Sequence, residues 1–206
     1  MSDLTSPPLE IAPGIWHWSA THPRLGIEVH STYLPEERVA IDPLAPPAVL
    51  DWLAEHGPPE HAYLTNRHHY RSCGDLVERF ATKVRCVRAG LHEFAHGEPV
   101  EPFDFGDELP GGIVAYEVDA ICPDETALHI PARRALALAD GAVRWTSGGP
   151  LAFVPDHLMD DPERTKEGLR AAYRRLASEL AFDHLLLAHG EPFVGDGREA
   201  LAAFAG

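Results

Sequence analysis

Hydrophobic positions along the chain fall into short apolar runs interrupted by segments with helical spacing. "IWHW" (15–18) and "VHSTYLPEERVAID" (29–42) read as strands, the second folding back at "PEER". In "APPAVLDWLAEHG" (45–57), Val49, Trp52 and Leu53 form an apolar stripe, Pro46 and Pro47 suit a first helical turn, and Gly57 suits its end. "HAYLT" (61–65) reads as a strand. Leu76, Val77 and Phe80 then share one face of a helix in "GDLVERFA" (74–81), with Ser72 and Asp75 as its opening pair. "KVRCV" (83–87) is a further strand, and the Pro- and Gly-rich stretch 89–112 predicts loops with a short edge strand.

"GGIVAYEVD" (111–119), "TALHIP" (126–131) and "RALALADG" (134–141) read as three successive strands. A helix opens at Asp161, a suitable N-cap ahead of Pro162, and carries Leu169, Ala172, Tyr173, Leu176 and Leu180 at helical spacing. "HLLLA" (184–188) is a last strand, and "GREALAAFA" (197–205) a last helix. This order predicts an α/β layered fold in one domain, 1–206, with sheets covered by helices. Ligands in such folds gather where loops leave strand ends. Three polar loops do so here (66–71, 122–125 and 189–191), and Asp140 ends another strand.

Composition narrows the partners. With 17 basic and 32 acidic residues the formal charge is −15, which disfavours nucleic acid and anionic membranes. A small-molecule ligand or substrate is the expectation, and nothing indicates an oligomeric state. No apolar run approaches the roughly 20 residues of a spanning helix. "MSDLTSPPLEIAPG" lacks the basic start and apolar core of a signal peptide. Three cysteines without CxxC spacing argue against disulfides or a cysteine zinc site, so a reducing cytoplasm is expected. Cys73, at a predicted helix start, and Cys122, in a site-forming loop, are candidate nucleophiles or small core residues. His92 and His96 stand four apart, but Gly97 and Pro99 cut any helix short, so they read as surface residues.

The densest chemistry lies in "LTNRHHYRSCGDL" (64–76), which sets two histidines, a tyrosine and two arginines between a strand and a helix. Together with "APGIW", "STYL", "VAIDP", "LALADGAV" and "FDHLLLAHGEP", this loop resembles the metallo-β-lactamase superfamily over nearly the whole chain. The resemblance implies an αββα sandwich with a metal site at one edge. That family's site uses a T-H-x-H-x-D-H loop, a later His, a bridging Asp and a final His, groups suited to zinc, iron or manganese. Aligned on Thr65, this sequence has Asn66, Tyr70, Arg71 and Ile121 at four ligand positions, and retains His68, Asp140 and His189. His69, beside His68, offers an alternative register.

Two functional expectations follow. One is a pseudoenzyme or small-molecule-binding protein without a metal cofactor, its old cleft lined by Asn66, Tyr70, Arg71 and Glu125. The other is an atypical hydrolase of esters, thioesters or similar bonds, with one Zn, Fe or Mn ion on His68 (or His69), Asp140 and His189. Three protein ligands with an open position suffice for a catalytic metal. Without the resemblance, Asp140–Gly141 would read as a hairpin turn, and His68 and His69 as polar loop residues.

Overall fold

A computed structural model describes residues 3–206, and the chain parses into two compact units, Met1–Phe103 and Asp104–Gly206. The first unit holds β1 (Leu4–Ala12), β2 (Ile15–Thr21), β3 (Glu28–Leu34), β4 (Val39–Ile41), α1 (Pro47–His56), β5 (His61–Tyr63), α2 (Cys73–Phe80), β6 (Lys83–Val87) and β7 (Val100–Phe103). Its seven strands form one sheet in sequence order. Pairing is antiparallel from β1 to β4 and parallel from β4 to β7.

Periodicity does not predict β1, because Pro7 and Pro8 interrupt it. An edge strand tolerates a missing N–H, and the β1–β2 register shifts on both sides of these prolines. Val49 and Leu53 of α1 and Cys73 and Leu76 of α2 pack with Trp18, Tyr33, Leu64 and Val84. Each large side chain removed from water there contributes about 1.5–3 kcal/mol. Trp18 also donates its indole N–H to the Leu44 carbonyl at 2.7 Å, tying the core to the loop after β4. Gly57 ends α1 at φ 94°, as the sequence predicts. Ser72 departs from expectation: its hydroxyl accepts the Ala45 N–H at 3.0 Å, so α2 opens without a side-chain cap.

The second unit holds β8 (Glu108–Leu109), β9 (Ile113–Glu117), β10 (Thr126–Ile130), β11 (Ala135–Leu138), α3 (Pro162–Glu179), β12 (His184–Leu187), β13 (Phe193–Val194) and α4 (Gly197–Ala205). The sheet order is β13-β12-β11-β10-β9-β8. Leu169, Ala172, Tyr173 and Leu176 of α3, with Leu201 of α4, pack on Leu136, Leu138, Leu185 and Leu187. The stretch 89–112 yields two short edge strands rather than one, β7 in the first sheet and β8 in the second. No helix among the described residues is long and apolar enough to cross a membrane.

One parallel pair sets up the chemistry. In β11 and β12, Leu138 stands opposite Leu187, so the two strands end level and each emits a polar residue two positions later: Asp140 and His189. At the start of α3, Asp161 caps by accepting the Arg164 N–H at 3.2 Å. Asp161→Ala is therefore expected to cost about 1 kcal/mol in chemical denaturation, without altering the folded structure.

Candidate functional site

In the first unit the site grows from Asp42, which ends β4 at φ 48° and is only 2% exposed. Its carboxylate accepts the Thr65 N–H at 2.8 Å and the Thr65 hydroxyl at 2.5 Å. His69 Nδ1 lies 3.1 Å from the same carboxylate and 3.0 Å from Thr65 Oγ1. Burial alone would push the Asp42 carboxyl up. The charges and hydrogen bonds of His69, Arg71 and Thr65 outweigh burial and hold it below the ordinary carboxylate range. Facing a carboxylate, Nδ1 carries the ring proton, so in the neutral form of the ring the lone pair lies on Nε2.

The neighbouring residues shape the turn. Asn66, buried where the family pattern has a metal histidine, accepts the His68 N–H on Oδ1 at 2.9 Å and starts the tight turn 67–70. His68 is exposed, whereas His69 is 4% exposed, so the alternative register is the one with an inward imidazole. Arg71, at φ 42°, donates through Nη1 to the backbone carbonyls of His30 (2.7 Å) and Asp42 (2.6 Å). Tyr70 packs its ring 5.7 Å from that of Phe94. Cys73 is fully buried, and burial, then the Asp42 charge, pushes its thiol far above the ordinary value. That environment leaves a core residue, not a nucleophile.

In the second unit Asp140 Oδ1 lies 3.0 Å from His189 Nε2. Glu125, expected to reach a ligand, is instead buried and accepts the Gly141 N–H on Oε1 at 2.7 Å, so it fixes the turn that carries Asp140. Cys122 Sγ sits 3.8 Å from the other Glu125 oxygen. A Cβ on Gly141 would fall 2.3 Å from the Tyr173 hydroxyl and 2.6 Å from Leu169 Cδ2, so any other residue would force these packed side chains to shift. That hydroxyl is buried without a hydrogen-bond partner, and burial, then Glu125 and Asp140, pushes it well above its ordinary value. Ile121, at another expected ligand position, packs among Val143, Val154 and Met159.

Arg144, which sequence reading passed over, organises the His189 loop. Its guanidinium donates to the carbonyls of Gly149 (2.7 Å) and Pro192 (3.1 Å) and stacks 4.0 Å from the Phe193 ring centre. Its backbone N–H donates to the His189 carbonyl at 2.9 Å. Gly190 follows at φ 109°, where a Cβ would strike the Arg144 carbonyl. The only signal for Asp42 and Thr65 in the sequence is an Asp-Pro step closing one strand and a Thr closing the next. Among the described residues, His69 in the first unit and Asp140 and His189 in the second are able to hold a metal.

No family model and no curated protein matches the chain. Solved structures do. Rubredoxin oxygen:oxidoreductase from Desulfovibrio gigas superposes with a TM-score of 0.68 at 15% identity over 97% of this chain, which spans 61% of that protein. A metallo-β-lactamase from Pontibacter korlensis gives 0.71 at 14% identity, covering 98% of this chain and 99% of the other. TTHA1623, solved in a di-iron-bound form, gives 0.63 at 18% identity over 96% and 98%. The fold is metallo-β-lactamase-like, an α/β architecture with two sheets and covering helices, as the sequence resemblance implies. At these identities the likeness carries the fold and not an activity.

Two substitutions probe the buried groups. Tyr173→Phe removes an unpartnered hydroxyl and is expected to raise stability by about 1 kcal/mol, read as a higher denaturation midpoint. Asp42→Asn should destabilise, with a pH signature. Asp42 is held below its unfolded-state value of about 3.9, so its ionisation contributes stability above that pH. This contribution disappears as pH falls through the lower folded value. The gap in unfolding free energy between wild type and Asp42→Asn should accordingly be widest at neutral pH and narrow on acidification.

Proposed function

We propose that the protein holds one metal ion on His69, Asp140 and His189 and acts as a hydrolase of ester, thioester or similar bonds. The observation that carries this reading is the Asp42–His69 contact. Histidines that ligate metals characteristically give their other ring N–H to a carboxylate, which fixes the tautomer and strengthens the donor. A loop that had only lost its metal has no need to keep a buried imidazole oriented by a buried carboxylate.

The donor set fits one ion and not two. Two imidazoles and a carboxylate suit zinc, iron or manganese and leave coordination positions for water and substrate. A second ion would need ligands at Asn66, Tyr70, Arg71 and Ile121. There an amide holds a turn, a phenol ring packs against Phe94, a guanidinium grips carbonyls and an alkyl group fills a core. An ion bound at the three donors would supply Lewis acidity toward a carbonyl or similar acceptor.

The remaining residues act as positioning groups. Thr65 links Asp42 to His69 through its hydroxyl, Glu125 anchors the backbone beside Asp140, and Arg144 fixes the backbone of His189. The Asp140–His189 contact is compatible with both states: the acid and the imidazole satisfy one another, and both become donors when an ion is loaded. Because imidazole must be neutral to ligate, the ion should be released on acidification.

Metal content by mass spectrometry, after incubation with zinc, iron or manganese salts and desalting, tests the reading. About one ion per chain is expected, lost in His69→Ala, Asp140→Ala and His189→Ala but kept in His68→Ala. Protein that takes up no ion under any of these conditions, or that loses it in His68→Ala rather than His69→Ala, contradicts it. A loaded protein should then hydrolyse ester or thioester substrates, and the three variants should not.

A further inference from the structure

A cavity lies wholly within the first unit. It has a volume of 540 Å³ and sits between the turn 22–27, the turn carrying Arg67 to Arg71, and the segment 93–98. Its size suits a small organic molecule. One wall is apolar and aromatic, formed by Leu44, Tyr70 and Phe94, with the two rings 5.7 Å apart and tilted. The outer wall is the connection between β2 and β3, closed by the His22 N–H to Ile27 carbonyl bond at 2.8 Å. There His22 Nδ1 receives the N–H groups of Arg24 and Leu25, both at 3.3 Å, so the Arg24 position is set by the fold.

Two groups of opposite charge on these walls have no partner among the described residues. The Arg24 guanidinium makes no ion pair or side-chain hydrogen bond, and Glu98 Oε2 is buried with no hydrogen-bond partner. An exposed arginine without a partner is ordinary. A buried carboxylate oxygen without one is not, because its lost hydration goes uncompensated. Glu98 is also near enough to Tyr70 that, after burial and Cys73, its charge helps raise that phenol.

We propose that this cleft binds a small zwitterionic molecule with an aromatic or apolar body, its anionic group on Arg24 and its ammonium group on Glu98. The aromatic wall takes the body, and the two opposite charges demand both ends of the ligand at once. A simple anion would face the Glu98 carboxylate, and a simple cation would face Arg24 with Arg67 and Arg71 behind it. None of the proposed metal ligands lines the cleft, so this inference stands apart from the hydrolase reading.

Calorimetric titration of chelator-treated protein, and of His189→Ala, tests it independently of any metal. The probes are L-phenylalanine and the longer glycyl-phenylalanine, each compared with a counterpart lacking the amine or the carboxylate. At least one zwitterion should bind about tenfold or more tightly than both of its counterparts, and bind equally well in His189→Ala. Arg24→Ala should erase its advantage over the amine-only counterpart. Glu98→Gln should erase its advantage over the carboxylate-only counterpart. Neither position is in the core, so the variants should keep the wild-type circular dichroism. If neither zwitterion outbinds its counterparts, or if both variants bind as wild type does, the proposal fails.

Discussion

A carboxylate removed from water must be met by donors, and Asp42 is the point at which this chain accepts that constraint. Leaving such a charge unpaired would cost several kcal/mol, and the contacts of Asp42 tie separate pieces of chain to one place. Its carboxylate meets Thr65 just after β5 and His69 in the turn that follows, and its backbone carbonyl takes a bond from Arg71 just before α2. Ser31 and Ser72 complete the clamp: Ser31 donates to that same carbonyl and accepts the Leu44 N–H, and Ser72 accepts the Ala45 N–H. The loop after β4 is thereby held from two sides, and the orientation of the His69 ring follows from the arrangement.

The second unit reaches a comparable end by other means. Its polar pair stands where two parallel strands finish level, and the backbone around each member is held by a different buried or stacked group. Glu125 clamps Gly141 beside Asp140, and Arg144 clamps the His189 loop from both its backbone and its guanidinium. Glycines at 141 and 190 are steric requirements of those clamps, since a Cβ at either would collide with Tyr173 or Arg144. Structure that supports the site is thus more extensive than the few groups that could touch a metal.

Much of this was legible in the sequence, and the reasons differ by element. α1 and α3 announce themselves through apolar stripes, Pro at their starts and, for α3, an Asp cap that the structure retains. β1 was illegible because its prolines break the pattern that an edge strand can do without. In the site, Asp140 and His189 are picked out by the family resemblance, and the structure places both just beyond level strand ends. Which loop histidine faces in was not legible, because two adjacent histidines differ by about one third of a helical turn, and only the Asp42 carboxylate decides between them. Glu125 was misjudged for a similar reason. An acid in a polar loop reads as a ligand group until the backbone N–H that it buries is seen. Arg144 carries no motif at all, since its role depends on carbonyls that lie close only after folding.

The proposed metal site requires Asp42 to act through His69 rather than merely to stabilise the loop. The direct measurement is the zinc affinity of Asp42→Asn by competition with a chromophoric chelator at neutral pH, alongside wild type, with folding verified by circular dichroism. A folded variant whose affinity is weaker by about 10- to 100-fold is expected, the usual effect of losing a carboxylate behind a ligand histidine. A folded Asp42→Asn protein that binds zinc as tightly as wild type would contradict it.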